Sequence, residues 1–482
     1  GSFNSTVGAV TFGGGGASNI SDTSAGTTSF FGLTINKSAA GVQVTSTTDW
    51  TVNSAYTNTL GDLVCTGGTV TMGGTVGTNL SVNGGSVQFN HLAIAMSATI
   101  IKTHNAGNFN VIGNFSCTSG TFTSSAGTIT MNGGAGASIG ITSAEVTTFN
   151  SLTIAKTNAL VSTTSNFTVN ASLSVTTSAQ FLATTGTITL ASGTAATIVN
   201  TSTAAAPQLS FFHLTVNKTG ATTSTANYTV TGNYTNTAGV VTHTGGTVTF
   251  AGLATRTLTV TAGTLTYNNL IVNMAGGTNL NQTGSYTVDG NFTVTGGTYV
   301  ATSGTVTFSG TTQTINSTAG TIPRFFGLTA DTGAVLTLAS SVDVDFLLTV
   351  TGELRMTGNQ TLRIGTTGAI GTMTVNGTLT CSGATPTITA RAAGFRMALT
   401  VNGTINVTAL NFSLANTSGM NLASLATVTA LDNVAFTSAL SGAGNVHLTI
   451  ACVATMTFLG CSFDASFGAG NNVEMNNAAS SE

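Results

Sequence analysis

The sequence predicts an all-β chain wound into an elongated, right-handed parallel β-helix, a β-solenoid, and three observations carry that prediction. A block of the form Phe/Tyr-x-x-Leu-Thr-Ile/Val-Asn-Lys recurs at a nearly fixed interval, the mark of a repeat architecture. Two further motifs recur in the same order at the same interval. Within each, apolar residues alternate with Thr or Asn, the period-2 pattern of a strand with one buried face.

The block spans Phe30 to Lys37, Phe89 to Met96, Phe149 to Lys156, Phe211 to Lys218, Tyr267 to Met274 and, weaker, Phe325 to Ala330. Its leucines, Leu33, Leu92, Leu152, Leu214, Leu270 and Leu328, stand 59, 60, 62, 56 and 58 residues apart. The second motif, Gly-Thr-Val/Ile-Thr-apolar, begins at Gly68, Gly127, Gly186, Gly246 and Gly304, with Gly8-Ala-Val-Thr-Phe12 as its first copy. The third is aromatic-Thr/Asn-Val, at Trp50, Phe109, Phe167, Tyr228 and Tyr286. Thr, Val, Ile and aromatic residues fit a pleated, half-buried surface. Gly, Asn and Ser between the runs supply turns. No segment keeps apolar residues at helical spacing over three turns.

Seven or more strand-like runs fall in each unit, more than the four strands of a propeller blade. At roughly 20 residues per coil, a unit of about 59 residues makes about three coils, and stacked coils bury one continuous core. The whole chain then has about 24 coils in a rod near 115 Å at ~4.8 Å per rung. Its core is expected to hold one row of Leu33, Leu92, Leu152, Leu214 and Leu270 and another of Val70, Ile129, Ile188, Val248 and Val306. The division is 1–353, a solenoid of six such repeats, and 354–482, the same solenoid continuing with a shorter repeat. Right-handed coiling follows from the chirality of parallel crossovers.

Composition narrows the function classes. Only 5% of the 482 residues are charged while 41% are hydrophobic. Thr, Ser, Asn and Gly nevertheless interrupt every apolar segment, so no run is long enough to insert in a membrane. Ten basic and thirteen acidic residues give a net charge of −3 without a basic patch, which argues against nucleic acid. Five scattered cysteines make no disulfide scaffold. Cys452 and Cys461 either meet on neighbouring turns or stay free and buried.

The two long motifs resemble the Thr/Asn/Gly-rich β-helical repeats of bacterial surface proteins: adhesins, autotransporter-like passengers and filamentous surface proteins. The resemblance covers residues 1–353 through its motifs and the remainder in texture. It implies an extracellular or cell-surface location and a structural or adhesive role.

Candidate chemistry is sparse. Asp343-Val-Asp345 places two carboxylates on one strand face, with Glu353, Arg355 and Arg363 beyond. The cluster can be read as a calcium or hydrolytic site, but a solvated charged patch at the change of repeat is preferred. His91, His104, His213, His243 and His447 are isolated and read as turn or surface residues. Lys37, Lys156 and Lys218 share one repeat position and read as strand-end lysines that keep an edge soluble, although such a line can contact anionic polysaccharide. Asn36, Asn217 and Asn273, one position earlier, read as inward asparagines that satisfy turns. Threonines recur once per unit and so form no ice-binding array. No catalytic, cofactor-binding or metal-binding residue is expected, and the protein is not expected to be an enzyme.

The expected function is a structural protein that polymerises with itself into a filament, sheath or surface layer through open ends carrying Val10 and Phe12 at one side and Phe463 and Phe467 at the other. The alternative is an adhesin or polysaccharide-binding fragment of a larger surface protein, with cell-surface glycans as partners.

Overall fold

The computed structural model describes residues 2–22, 27–366, 369–392, 395–437, 445–453, 456–464 and 471–476. Among them every regular element is a strand, and the strands stack in parallel ladders as a β-solenoid of about 20 turns. The chain divides into two compact units, 1–244 and 245–482.

In the first unit each coil contributes three strands, and a strand pairs with the third strand after it. Gly32–Lys37, for example, lies on Tyr56–Leu60, which lies on Thr78–Val82. Registered residues are 19 apart at Ser210↔Thr229 and 28 apart at Phe181↔Leu209. Coils thus vary in length, most exceeding the 20 residues taken from the sequence, and there are about 20 of them rather than 24.

The longer coil has a consequence for the repeat. Between Gly32–Lys37 and His91–Met96 the chain advances eight strands, which is two coils and two thirds rather than three. Each 59-residue unit therefore starts one face further round. Leu33 and Leu214 share a face, whereas Leu92 lies on the second and Leu152 on the third. The expected rows of leucines and of Val70, Ile129 and Ile188 do not form.

What forms instead is a three-rung cassette built from the three motifs of one unit. Trp50 lies on Val70 and Val70 on Leu92; Phe109 lies on Ile129 and Ile129 on Leu152; Phe167 lies on Ile188 and Ile188 on Leu214. The second unit repeats it with Tyr286, Val306 and Leu328. All these side chains are buried. The block's first aromatic meets the next aromatic edge-on: Phe30–Trp50 at 5.9 Å, Phe89–Phe109 at 5.6 Å, Phe149–Phe167 at 5.4 Å and Phe211–Tyr228 at 5.4 Å between ring centres. Edge-to-face pairs of this kind add to the gain from buried area.

Outward residues tie the rungs at the corners. The residue before each aromatic accepts the amide that opens the next rung: Asp49 from Thr69, Asn108 from Thr128 and Asn166 from Thr187. Where asparagine follows the first aromatic of the block, it donates to the motif glycine one rung back, Asn90 to Gly68 and Asn150 to Gly127. In the second unit the ladder runs without a break through residue 353, with Val335↔Glu353 and Glu353↔Thr378. The change of repeat near 353 is thus a change of sequence rhythm within one sheet.

Candidate functional site

Strict alternation along Leu33, Ile35 and Lys37 sends the lysine inward, and the structure buries it. Lys102, Lys156 and Lys218 are buried as well, so none of the four lysines in the sequence is the solubilising edge residue expected. Each ammonium serves the inside of a corner. Lys37 Nζ donates to Gly13 O at 3.0 Å, Gly16 O at 2.9 Å and Ser18 Oγ at 2.6 Å. Lys102 reaches Ser54 O and Thr78 Oγ1. Lys156 reaches Ile112 O and Asn132 O, and Lys218 reaches Asn170 O, Ala191 O and Ser192 Oγ.

Met96 and Met274 are buried at the same repeat position. The long aliphatic stem is thus the constant, and the ammonium is added where corner carbonyls need donors. Asn36 and Asn217 point outward and are exposed; the inward asparagines expected there are replaced in that role by their lysine neighbours. Burial lowers the Lys156 and Lys218 pKa values and brings Lys102 down to about 8. An amine-specific acetylating reagent applied to the folded protein at pH 7.5 is expected to leave all four side chains unmodified, while all four react in denaturant. Mass spectrometry of digests reads the difference, and labelling of any lysine in the fold contradicts the burial.

The histidines divide in two. His91 Nδ1 accepts the Asn114 amide and His213 Nδ1 the Asn233 amide, each at 2.8 Å, so these two cap the following rung. His104 and His243 are core residues rather than turn or surface ones: His104 bonds Ser124 Oγ and Ala106 O, and His243 Nε2 meets Tyr228 OH at 2.7 Å. His447 is buried too. Burial lowers the pKa of His104 and holds His243 near about 4.

Below the unperturbed ~6.5, and for His243 down to about 4, the unfolded first unit binds protons that the folded one refuses. Its stability therefore falls as pH drops through 6.5, by up to about 1.4 kcal/mol per pH unit for each such histidine. Urea midpoints followed by the fluorescence of Trp50 are expected to decline steadily from pH 7 to pH 5. A flat profile contradicts the buried, neutral state.

The five cysteines are free, Cys452 buried and Cys461 partly so. The Cys461 thiol donates to Leu431 O, and the expected alternative of a bridge to Cys452 is not realised. Buried Cys65 and Cys381, with thiols pushed up to about 12, fill inward positions as small apolar groups.

Charge converges at one corner of the second unit. Arg324–Ala330 is a single strand that pairs along two faces, with Thr298–Ala301 through Val300↔Arg324 and with Thr305–Phe308 through Val306↔Leu328. Val342–Val350 stacks on it and bends at the same place, where the register shifts between Phe325 and Gly327. The next rung brings Arg363, registered on Asp343, and Arg391 follows the rung after that, one residue beyond Ala390.

Asp343 and Asp345 are each only 4% exposed, so they are not the solvated patch expected from the sequence. Arg363 Nε and Nη2 grip Asp343 Oδ1 and Oδ2 at 2.6 and 3.0 Å. Arg324 Nε and Nη2 grip Asp345, both contacts to Oδ2 being 2.7 Å. Arg391 bridges the pair, its Nε 3.3 Å from Asp343 Oδ2 and its Nη1 2.9 Å from Asp345 Oδ1.

All four carboxylate oxygens thus face guanidinium groups, and most of the acceptor capacity of the two aspartates is taken up by these ion pairs. Among the described residues no cluster of three or more His, Cys, Asp or Glu is placed to hold a metal. Glu353, grouped with the aspartates on sequence, belongs to another face, where Arg355 and Thr380 bind it. The Arg355 guanidinium holds its carboxyl below the usual range.

Of the residues expected at the assembly ends, Val10 and Phe12 are half-buried on the rung Ala9–Gly14 and Phe463 is half-buried on Ser462–Phe463. Phe467 lies outside the described residues. The arginines of the corner were visible in the sequence only as scattered positions. Nothing local announces that Arg324, Asp343, Arg363 and Arg391 meet, since the rungs that carry them are about a coil apart.

Among the described residues no helix is long and apolar enough to cross a membrane. Comparison with protein-family models, with curated proteins and with solved structures finds no match to this chain, so its function is argued from its own residues.

Proposed function

We propose that this is an extracellular structural protein, a right-handed β-solenoid whose copies join through strand edges into a filament, sheath or surface layer. One observation carries the reading: groups that commonly perform chemistry are spent on holding the coils together. The lysines cap corner carbonyls, two histidines cap rungs and three fill the core, and the two aspartates of the corner are clamped by arginine. The outward strand positions that remain are largely Thr, Ser and Asn, whose weak charge opposes association little.

The exposed edge of the rung Ala9–Gly14 supports joining of copies edge to edge. Its Val10 and Phe12 are half-buried and Phe3 beside it is half-exposed, so one further rung laid on this edge extends both ladder and core. A second copy supplies that rung in a homopolymer; a preceding segment of the same polypeptide supplies it in a longer surface protein, the adhesin reading.

Residues 1–482 at increasing concentration are expected to form filaments visible by negative-stain electron microscopy. Val10→Lys, an inward charge on the joining edge, is expected to abolish them with the circular dichroism unchanged. Protein that stays monomeric at high concentration, or filaments indifferent to Val10→Lys, overturns edge-to-edge assembly. Antibody labelling of intact source cells tests the location.

A further inference from the structure

The arginine corner of the second unit has properties that coil closure does not require. Three of the six arginines in the sequence, Arg324, Arg363 and Arg391, meet at this one corner. Three guanidiniums against two carboxylates leave the ion-paired cluster one positive charge, in a chain whose net charge is −3.

The pairing leaves an outward fork. Arg324 and Arg363 each use Nε and Nη2 on an aspartate, and among the described residues Nη1 of neither has a partner. A guanidinium held along its Nε–Nη2 edge still offers its Nη1 side, with the donor geometry that suits a planar carboxylate. The buried aspartates fix both groups in place, so little side-chain entropy remains to be lost on binding. Their side chains are 33% and 32% exposed, within reach of a ligand.

Beside the arginines lies an exposed aromatic step. Phe326 is two residues after Arg324, Phe346 follows Asp345 directly, and their rings stack at 5.6 Å with an interplanar angle of 13°. Phe346 is 54% exposed and Leu347 next to it is exposed as well. A phenylalanine pair stacked on the surface of a rung contributes little to the core, yet it offers a flat apolar face.

We propose that this corner binds an acidic polysaccharide of the polyuronate class. The carboxylates of the sugars dock on the outward forks of Arg324 and Arg363, and the C–H face of a pyranose ring lies on Phe346. Arg324 and Arg363 stand two rungs apart through Asp343, about 9.6 Å at the usual strand spacing, so the ligand is a polymer running along the ridge rather than a single sugar acid. Nucleic acid fits less well, because the excess positive charge is small and the two rings already cover one face of each other. The site needs no self-association and is tested on dilute, monomeric chain.

Calorimetric titration with alginate in 150 mM salt is the test, with oligo(dT) and dextran sulfate as parallel ligands. Alginate is expected to bind and the other two to bind at least about tenfold more weakly. Arg324→Lys keeps the charge and the Asp345 partner but loses the fork, and it is expected to weaken alginate about tenfold. Phe346→Ser should do the same, while Phe346→Tyr restores binding; these two exposed substitutions keep the result interpretable if the arginine variant disturbs the fold. The inference is overturned if wild type does not bind alginate, if both Arg324→Lys and Phe346→Ser bind it as wild type does, or if oligo(dT) or dextran sulfate binds equally well.

Discussion

Phe149→Ala is expected to lower the unfolding free energy of the first unit by about 3–5 kcal/mol, the usual cost of emptying a buried aromatic site. Phe149 packs against Phe115 at 5.1 Å, Phe167 at 5.4 Å and Phe122 at 6.1 Å, and it is fully buried. Collapse of the site is resisted because the rungs on either side are fixed by their ladders, so the cavity persists. Thr153→Ala, on the outward side of the strand Ser151–Lys156, is expected to stay within about 0.5 kcal/mol.

Urea unfolding read both by far-UV circular dichroism and by the fluorescence of Trp50, the only tryptophan in the sequence, checks the magnitude and the cooperativity together. Trp50 lies several rungs from Phe149. A shift seen by both probes means that the first unit melts as one body, whereas a shift seen by dichroism alone means that its coils melt in groups. A loss below about 1.5 kcal/mol contradicts the packing described.

Gly304→Ala is expected to destabilise the second unit by about 2–5 kcal/mol, against about 1–2 kcal/mol for Gly277→Ala. Both glycines have nearly the same positive φ, 81° and 79°, a region in which any L side chain is strained. They differ in what the added methyl meets. At Gly304 a Cβ falls 2.1 Å from Gly284 O and 2.2 Å from its carbonyl carbon, while at Gly277 nothing lies within 4 Å. The clash is with backbone of the previous rung and cannot be relieved by a rotamer. Paired denaturation curves read the difference directly, and equal losses for the two variants show that rung-to-rung contact is not what requires glycine at 304.

The glycine that opens the Gly-Thr-Val/Ile-Thr motif is the position most fully determined by sequence alone. It recurs at Gly68, Gly127, Gly186, Gly246 and Gly304, always at positive φ, and an added Cβ at Gly68 or Gly127 also strikes the preceding rung. The alternation of Leu33 and Ile35 with Thr34 and Asn36 fixed in the same way which side of a strand faces inward. Strands, turns, buried faces and the parallel stack follow from such local patterns, because backbone conformation and side-chain periodicity depend on near neighbours in the chain. Even the inward lysines were legible there: Lys37 is in phase with Leu33 and Ile35, and Met stands in its place at Met96 and Met274. A lysine is ordinarily an exposed residue, but a long side chain can bury its stem and spend its ammonium on carbonyls.

What the tertiary structure alone decided is register between coils. Whether 59 residues make three turns or two and two thirds depends on the length of every corner, and an error of two or three residues per coil moves each motif to another face. The rotation of Leu33, Leu92 and Leu152 through three faces, the gathering of Arg324, Asp343, Arg363 and Arg391 at one corner, and the separation of Glu353 from them all follow from that count. These contacts join residues one or two coils apart, and no local pattern in the sequence encodes which of them will meet.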